Sequence, residues 1–213
     1  MKNSKDKKHF SLETIRRLTL YLRNLRKIKK QGVEVISSDK ITKFLNVTPS
    51  QFRKDLSYFG EFGKRGVGYN VDFLIGQIQK IVGTHIDWNI ALVGLGRVGG
   101  ALLGFDGFSK FNIKITAIFD NDQKKIGKTK KGIVVQAIDN LSEMIKKDGI
   151  KIAIIATPPE VAQDIANQLI DSNIKGILNF APIALKVPDN IFVSNVDMAC
   201  ELESLIFFVK QGS

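Results

Sequence analysis

Apolar residues in the first part of the chain follow the spacing of amphipathic helices, in which one face recurs every three or four positions. One such helix runs from Leu12 to Ile28, and Gly32 follows it as a stop signal. A second, shorter helix is predicted to begin with Ser37 or Ser38 as its N-cap and to end at Asn46. The side chains that it is expected to bury are Ile41, Phe44 and Leu45.

A third helix has the clearest start signal in the sequence. Thr48 is a typical N-cap, Pro49 takes the first helical position, and Gln51 completes a capping box. A short helix, a tight turn and a well-capped helix are typical of a helix-turn-helix, whose second helix enters the major groove of DNA. The residues expected to face DNA from this helix are Ser50, Gln51, Arg53, Lys54 and Ser57.

The segment from Gly60 to Tyr69 interleaves four glycines with aromatic and apolar residues around the pair Lys64 and Arg65. Glycine permits tight chain reversal, so the segment is predicted to form a β-hairpin wing that presents the two cations at its tip. A flexible interdomain linker is the alternative. Asn70 then caps a linking helix that closes at Gly83.

From residue 89 the pattern changes to short apolar runs that alternate with amphipathic segments, which is typical of an open parallel sheet. The predicted strands are Asn89–Val93, Ile113–Phe119, Ile133–Val135, Ile152–Ala156, Gly176–Asn179 and Ile191–Val193. The fold class is therefore α/β, with a winged helix-turn-helix at 1–82, a Rossmann-like parallel-sheet domain at 83–196 and a final helix at 197–213. The apolar face of that helix either closes its own domain or docks on a partner subunit.

A glycine-rich turn follows the first of these strands and opens a helix. Its residues, all candidates for cofactor binding, are Gly94, Leu95, Gly96, Arg97, Val98 and Gly99. The strand, the GxGxxG turn and the helix are the context of a dinucleotide site, in which the helix N-terminus meets the pyrophosphate. A glycine-rich turn without a ligand is the alternative.

Asp120 ends the second predicted strand, where an acidic residue accepts hydrogen bonds from the adenosine ribose. Together with Asp122 it would repel a 2′-phosphate, which favours NAD(H) over NADP(H). A strand-end Asp that only caps the next turn is the alternative. Ligands of such sheets bind at the carboxyl ends of the strands. The candidates there for the nicotinamide side are Thr157, Pro158, Asn179, Ala181 and Pro182, although each also fits an ordinary strand-to-loop transition.

The distribution of charge divides the 213-residue chain into the same two parts as the pattern of apolar residues. The net charge of +11 lies wholly in the first 70 residues, which have 17 Lys and Arg against 6 Asp and Glu, whereas the remainder has 15 of each. Such a bias is typical of a nucleic-acid binder, although a basic tail contributes to it.

Other features exclude several classes of protein. No apolar run approaches the roughly 18 residues of a membrane span, and no secretory signal is present, so a cytoplasmic protein without membrane partners is expected. The single cysteine, Cys200, excludes an internal disulfide framework and is expected to be buried. His9 and His85 have no partners at useful spacing, so we predict no catalytic residues and no metal site.

The string from Gln51 to Gly60, continued by Lys64 to Tyr69, resembles the Rex family of redox-sensing transcriptional repressors. The GLGRVG turn, the NFAP sequence that begins at Asn179, and Val196-Asp197 before the last helix support the resemblance, which spans nearly the whole chain. It implies a homodimer that binds a palindromic double-stranded operator, represses genes of fermentation or anaerobic respiration, and is released when NADH accumulates relative to NAD.

The same resemblance implies roles for individual residues. Arg53, Lys54 and Arg65 would contact DNA, and the last helix would be swapped between subunits. An interdomain switch would involve Arg23, Phe105 and Asp197, but family members known for a polar switch carry Tyr where this chain has Phe105. Because Phe has no hydroxyl, the three-way network cannot form in full.

Two other functions remain open from the sequence. An NAD-dependent dehydrogenase with a basic N-terminal cap would need a proton donor beside the nicotinamide, and the cleft loops offer no His or Lys immediately after the strands. A CoA-binding module uses a similar glycine-rich turn, but Asp120 and the DNA-reading helix argue against it.

Overall fold

The computed structural model describes residues 10–64 and 66–212. Contacts divide the chain into two compact units, Met1–Ile86 and Asp87–Ser213. Among the described residues, no helix is long and apolar enough to cross a membrane. Within the same residues, no group of three or more His, Cys, Asp or Glu side chains is placed to hold a metal ion.

The N-terminal unit is a helical bundle with a small two-stranded sheet. Its elements are α1 (Leu12–Lys30), β1 (Val35–Ile36), α2 (Ser38–Thr42), α3 (Pro49–Ser57), β2 (Tyr69–Asn70) and α4 (Val71–Val82). The predicted start signals are confirmed, because the side chains of Ser37, Thr48 and Asn70 each accept a hydrogen bond from a backbone N–H in the first turn of the following helix. α1 and α3 pack their apolar faces into one core, together with α2 and α4. Fully buried members of that core are Leu18, Tyr21, Leu25, Ile41, Phe52, Leu74 and Ile78.

The second helix is shorter than its pattern predicts. α2 ends at Thr42, and a turn follows in which Leu45 N–H donates to the Thr42 carbonyl. Ile41 is buried and Leu45 packs against the core, but Phe44 is 81% exposed. The expectation that Phe44 is buried is wrong, because the helix ends before Phe44 can continue the face of Ile41.

The wing differs from a regular hairpin. Within its described part, antiparallel pairing is confined to one bridge between Lys64 and Gly68, which closes a tight turn. β2, which follows, pairs with β1 instead. Gly68 must be glycine at this crossing, because its φ is +103° and a Cβ there would lie 2.6 Å from the Ile36 carbonyl oxygen.

The C-terminal unit is built around a largely parallel sheet, which confirms the expected class. Its strands are β3 (Trp88–Val93), β4 (Ile113–Asp120), β5 (Thr129–Lys130), β6 (Ile133–Ala137), β7 (Ile152–Ile155), β8 (Gly176–Asn179) and β9 (Phe192–Asn195). Its helices are α5 (Arg97–Leu103), α6 (Leu141–Lys147), α7 (Pro159–Asp171) and α8 (Met198–Gln211). The strand order is β5-β6-β4-β3-β7-β8-β9, and β5 is antiparallel to β6. β5 has no counterpart among the predicted strands.

Successive side chains of the central strands point to opposite faces of the sheet and so belong to two separate hydrophobic cores. Ala91 and Val93 pack with α6 and α7 on one face of the sheet, whereas Ile90 and Leu92 lie with residues of α5 on the other. α8 is different, since it buries none of its residues within the chain. Cys200 on α8 is exposed, so the expectation that it is a buried hydrophobe is wrong for the single chain.

Candidate DNA-binding and dinucleotide-binding sites

The start of α3 is fixed by its cap. Thr48 Oγ1 accepts from the backbone N–H of Gln51 at 3.1 Å, and Pro49 occupies the first turn. The expected capping box forms only this half, because the Gln51 side chain donates to Asp55 Oδ1 at 2.8 Å instead of to the cap. Of the candidates on this helix, Ser50, Arg53, Lys54 and Ser57 are exposed and Gln51 is half-buried.

A cleft of about 820 Å³ opens between α2, α3 and the wing. Arg53 and Ser57 line it from α3, and Lys64 lines it from the wing turn. Arg53 Nη1 donates to Ser38 Oγ at 2.8 Å, which holds the guanidinium against the start of α2. Two cations, together with the carboxylates of Asp39 and Glu61, therefore border a groove that is open to solvent. Arg65, the other predicted wing cation, lies outside the described residues.

The structure also contains a buried ionic network that sequence reasoning missed. Asp55 of α3 is fully buried and receives four hydrogen bonds on its two carboxylate oxygens. Arg17 donates through Nε at 2.6 Å and Nη2 at 2.7 Å, Tyr21 through its hydroxyl at 2.7 Å, and Gln51 at 2.8 Å. One signal was available, because an acidic residue between Phe52 and Leu56 on an apolar face requires a partner.

These contacts fix the charge states of the network. Burial alone would raise the pKa of Asp55, but hydrogen bonds from Arg17, Tyr21 and Gln51 outweigh it and hold that pKa below its usual value. Hydrogen bonding to Asp55 raises the pKa of Arg17, and burial raises that of Tyr21. The network is thus an ionised carboxylate held by a guanidinium and a neutral phenol.

In the C-terminal unit, the glycine-rich turn packs as a dinucleotide turn must. Gly94 has φ +92°, and a Cβ there would lie 2.6 Å from the Ala156 carbonyl oxygen. A Cβ on Gly99 would overlap the Gly94 carbonyl oxygen, so glycine is needed where α5 meets β3. Leu95 is buried, whereas Gly96, Arg97 and Val98 are exposed at the start of α5.

This turn fits a dinucleotide in two respects. Gly96 has no atom within 4 Å of its Cβ position, so a phosphate group could approach the backbone closely there. Thr157 follows β7 and lies beside Gly94. Its Oγ1 is buried and has no hydrogen-bond partner among the described residues. An open backbone and an orphaned hydroxyl leave polar groups for a ligand to satisfy.

The Asp120 carboxylate, predicted to accept from a ribose, already accepts three hydrogen bonds within the protein. Asp120 is 4% exposed, and its carboxylate accepts from Leu95 N–H at 2.7 Å, Asp122 N–H at 2.8 Å and Lys125 Nζ at 3.1 Å. Burial would raise the pKa of Asp120, but these donors lower it. The carboxylate therefore fixes the glycine-rich turn, and a ribose hydroxyl would have to share it.

The strand ends meet at one edge of the sheet. Val93 aligns with Ile155 and Ile155 with Asn179, so Gly94 and Thr157 follow neighbouring strands at the same level. β3 lies between β4 and β7 and is parallel to both, which places the glycine-rich turn at the point where the strand order reverses and where open α/β sheets bind ligands. Pro158 is exposed beside Thr157.

The candidates after β8 divide into two kinds. Asn179 is fully buried: its amide nitrogen contacts the carbonyls of Ala181 and Ile183 and the Asn195 side chain, and its oxygen accepts from Ala181 N–H. These bonds occupy the side chain of Asn179 and shape the loop, and a contact between Asn179 and a cofactor stays a prediction. Ala181 is 5% exposed, and Pro182 is exposed on the same loop.

One of the three predicted switch residues lies in the N-terminal unit and the other two lie in the C-terminal unit. Arg23 is exposed on α1 of the N-terminal unit. In the C-terminal unit, Phe105 is 57% exposed and packs edge-to-face on Phe108. Asp197 caps α8, accepting from the N–H groups of Ala199 and Cys200 at 3.0 Å.

Two protein families match separate parts of the chain. "Putative DNA-binding protein N-terminus" covers residues 10–57, and "CoA binding domain" covers residues 85–183. Curated relatives match almost the whole length. The redox-sensing transcriptional repressor Rex of Syntrophobacter fumaroxidans is 45% identical over 95% of this chain and 97% of its own, and that of Desulfitobacterium hafniense is 47% identical over 92% and 93%.

Solved structures give the same result. RSP in complex with β-NAD⁺ and operator DNA is 34% identical and matches 97% of this chain and 95% of its own with a TM-score of 0.92. RSP in complex with β-NADH is 32% identical, covers 97% of both chains and has a TM-score of 0.86.

Proposed function

The chain belongs to the Rex family of redox-sensing transcriptional repressors, and from that membership we propose that NADH releases it from a palindromic operator. The family consists of repressors and not of enzymes, so the dehydrogenase alternative is not favoured. The CoA binding domain family matches only residues 85–183, whereas Rex relatives match almost the entire chain, so the CoA-binding alternative is not favoured.

Operator binding is assigned to α3 and the wing. Ser50, Arg53, Lys54 and Ser57 are exposed on α3, and Lys64 lines the same cleft as Arg53 and Ser57. Arg65, the next residue in the sequence, is assigned to DNA as well. Arg and Lys match the acceptors of guanine in the major groove, and the excess positive charge of this unit attracts the phosphate backbone. The cytoplasm, where the DNA of a bacterial repressor lies, is the proposed location.

NAD(H) is the proposed ligand of the glycine-rich turn, from Gly94 to Gly99. The pyrophosphate would bind the N–H groups at the start of α5, and Thr157 with Pro158 and the loop of Ala181 and Pro182 would border the nicotinamide. Bound NADH supplies the redox signal by its oxidation state. The residues of the chain bind the nicotinamide ring and respond to its oxidation state. Asp120 is proposed to accept hydrogen bonds from the adenosine ribose.

A homodimer with swapped last helices completes the proposal. α8 exposes its large apolar side chains, and a helix with that much uncovered surface favours a partner. The exposed residues are Met198, Leu202, Leu205, Ile206, Phe207, Phe208 and Val209. A two-fold dimer also matches the two half-sites of a palindrome.

The single observation that carries the proposal is the match of the whole chain to Rex repressors, including one solved with operator DNA and NAD⁺. Its test begins with selection of duplexes from a random library by the full chain. We expect a palindrome to be enriched, and Lys54→Ala to weaken binding to it by about 1 to 3 kcal/mol while tolerating more base changes. Enrichment of no common sequence would overturn the proposal.

A further inference from the structure

The network around Asp55 ties the proposed recognition helix to α1 at one fixed angle. Both oxygens of Asp55 accept two hydrogen bonds each, so the roughly four lone-pair sites of the carboxylate are filled. Since it is also fully buried, Asp55 has no capacity left for DNA. Its position within α3, directly after Arg53 and Lys54, gives it influence over the residues that do face DNA.

We propose that Arg17, Tyr21 and Gln51 form with Asp55 a clamp that sets the rotation of α3, and hence the base specificity of this repressor. The inference rests on the proposed DNA-binding role of α3. Successive residues of a helix project about 100° apart, so holding Asp55 against α1 determines where Lys54 and Arg53 point. These four residues act as positioning residues, because none of them needs to touch a base.

The apolar contacts of α3 restrict its rotation less sharply than the ionic network does. Phe52 and Leu56 bury the helix in the core, but hydrophobic burial is non-directional and tolerates small rotations. The forked bond between Arg17 and Asp55 has a fixed planar geometry that does not. Gln51 belongs to this clamp through its amide nitrogen, which differs from the base-reading role expected from its place in the sequence.

A small rotation would be enough to matter. A side-chain tip about 6 Å from a helix axis moves about 2 Å when the helix turns by 20°. Such a shift breaks a hydrogen bond to a base edge, whose useful range is only about 2.7 to 3.2 Å. It changes the attraction between a cation and the phosphate backbone much less, because that attraction carries no sequence information. Loss of the clamp should therefore lower specificity more than total affinity.

The test uses the full chain with NAD⁺ present and two duplexes at one salt concentration. One is the palindrome selected by the wild type, and the other has a single base pair changed in each half-site. Asp55→Asn removes the charge of the carboxylate, and Tyr21→Phe removes one hydroxyl while keeping the ring that packs on Phe52. The control is Asp72→Asn, which breaks the exposed pair between Lys29 of α1 and Asp72 of α4.

We expect the ratio of the two affinities to fall by about tenfold in Asp55→Asn and by a smaller factor in Tyr21→Phe. Affinity for the mismatched duplex should change by less than about twofold in both, and the control should keep the wild-type ratio. A merely structural role would reduce the folded fraction and lower both affinities together, leaving their ratio unchanged. Near-ultraviolet circular dichroism reports that fraction, and Tyr21→Phe provides the result if Asp55→Asn does not fold.

The outcomes separate the two proposals. If the wild type discriminates between the duplexes and both folded variants discriminate equally well, the clamp has no role in specificity and this inference is wrong. If the wild type itself does not discriminate, the proposed operator binding fails, and the clamp proposal fails with it.

Discussion

Asp120 has two tasks at the end of β4. It accepts from the N–H of Leu95, which ties it to the glycine-rich turn, and from Asp122 N–H and the Lys125 ammonium in the loop after β4. It is also proposed to meet the adenosine ribose. A buried carboxylate with these donors stays ionised, as its lowered pKa indicates. Its charge therefore opposes a 2′-phosphate, although Lys125 offsets part of it.

We expect the wild type to bind NADH much more tightly than NADPH. Replacing Asp120 by Asn should weaken NADH binding by about tenfold or more, since hydrogen bonds to a charged group contribute about 1.5 to 3 kcal/mol, and should narrow the preference over NADPH. Nicotinamide fluorescence titrations measure both constants. Asp106→Asn, which removes an exposed carboxylate, is the control. Equal affinities of the wild type for the two cofactors would refute this account of Asp120.

Asp55 makes the stability of the chain sensitive to acid. Its pKa is lowered on folding, so its contribution is fully present above the unfolded value near 4 and is lost as the pH falls through the folded value. Asp55→Asn should lower the free energy of unfolding at pH 7 by roughly 3 kcal/mol, the lower end of the range for a broken buried pair, because Arg17 is 24% exposed.

Urea unfolding at several pH values measures this effect. The difference between wild type and Asp55→Asn should shrink from pH 6 to pH 2, and using the difference cancels the titration of other carboxylates such as Asp120. A difference that stays constant over this range would mean that Asp55 is not held ionised by its partners.

At the residue scale, the sequence predicted types of residue better than their contacts. The cap at Thr48 and the tight glycines at Gly94 and Gly99 follow from local backbone geometry, which a short string of residues encodes. The roles of Gln51 and Asn179 depend on partners that folding brings close, Asp55 on the next turn and Asn195 on the neighbouring strand. A pattern along the chain does not contain those contacts.

At the scale of elements, long periodic segments were predicted well and short ones were not. α1, α3, α4 and the parallel strands follow from hydrophobic period and caps. β5 has two residues and the wing one bridge, so neither is long enough to show a period. The end of α2 was misplaced for the same reason, because five residues barely exceed one turn.

Two exposed glycines, Gly96 at the N-cap of α5 and Gly100 within the helix, allow a matched comparison. Neither Gly96 nor Gly100 has an atom within 4 Å of its Cβ position, so alanine fits at both without a clash. Gly96→Ala should reduce NADH affinity by about tenfold or more, because the pyrophosphate needs close approach to that backbone. Gly100→Ala should leave binding unchanged and stabilise the fold by about 0.5 to 1 kcal/mol. Titration with NADH compares the affinities of the two variants, and thermal melting compares their stabilities. Equal NADH affinity in both variants would contradict the proposed place of the pyrophosphate.

Removal of α8 tests the proposed subunit contact. Truncation after Asn195 should produce monomers, since it removes seven exposed large apolar side chains that we assign to the partner. Operator affinity should fall as well, because a palindrome needs two linked readers. Analytical ultracentrifugation gives the oligomeric state. A truncated chain that still sediments as a dimer would show that α8 is not the main contact.

At the scale of the whole molecule, the chain separates two kinds of chemistry. The basic N-terminal unit presents cations around a groove, and the electrically balanced C-terminal unit presents an open glycine-rich turn. Charge asymmetry and the GxGxxG context made this division visible in the sequence. The coupling between the units was not visible in the same way, because it depends on how far each arrangement prefers one cofactor over the other.

That coupling has a known energetic scale. Moving the protein from 99% DNA-bound to 99% free requires about 10⁴-fold differential affinity, or about 5.5 kcal/mol. A contact between Arg23 and Asp197 made in one arrangement only would supply part of it. Phe105 has no hydroxyl to add a hydrogen bond to that contact, but its side chain can pack against the nicotinamide ring. Because Phe105→Tyr adds one hydroxyl, it should change the coupling free energy by no more than about 1 to 2 kcal/mol.

The most direct test of the account is a gel-shift titration of operator-bound protein with NADH and, separately, with NAD⁺. We predict that NADH releases the wild type and Phe105→Tyr while NAD⁺ does not, and that Asp197→Ala binds NADH yet stays on the DNA. If Asp197→Ala leaves the operator at the same NADH concentrations as the wild type, Asp197 has no role in the switch. A wild-type protein that remains on its operator at saturating NADH would contradict the redox-sensing account itself.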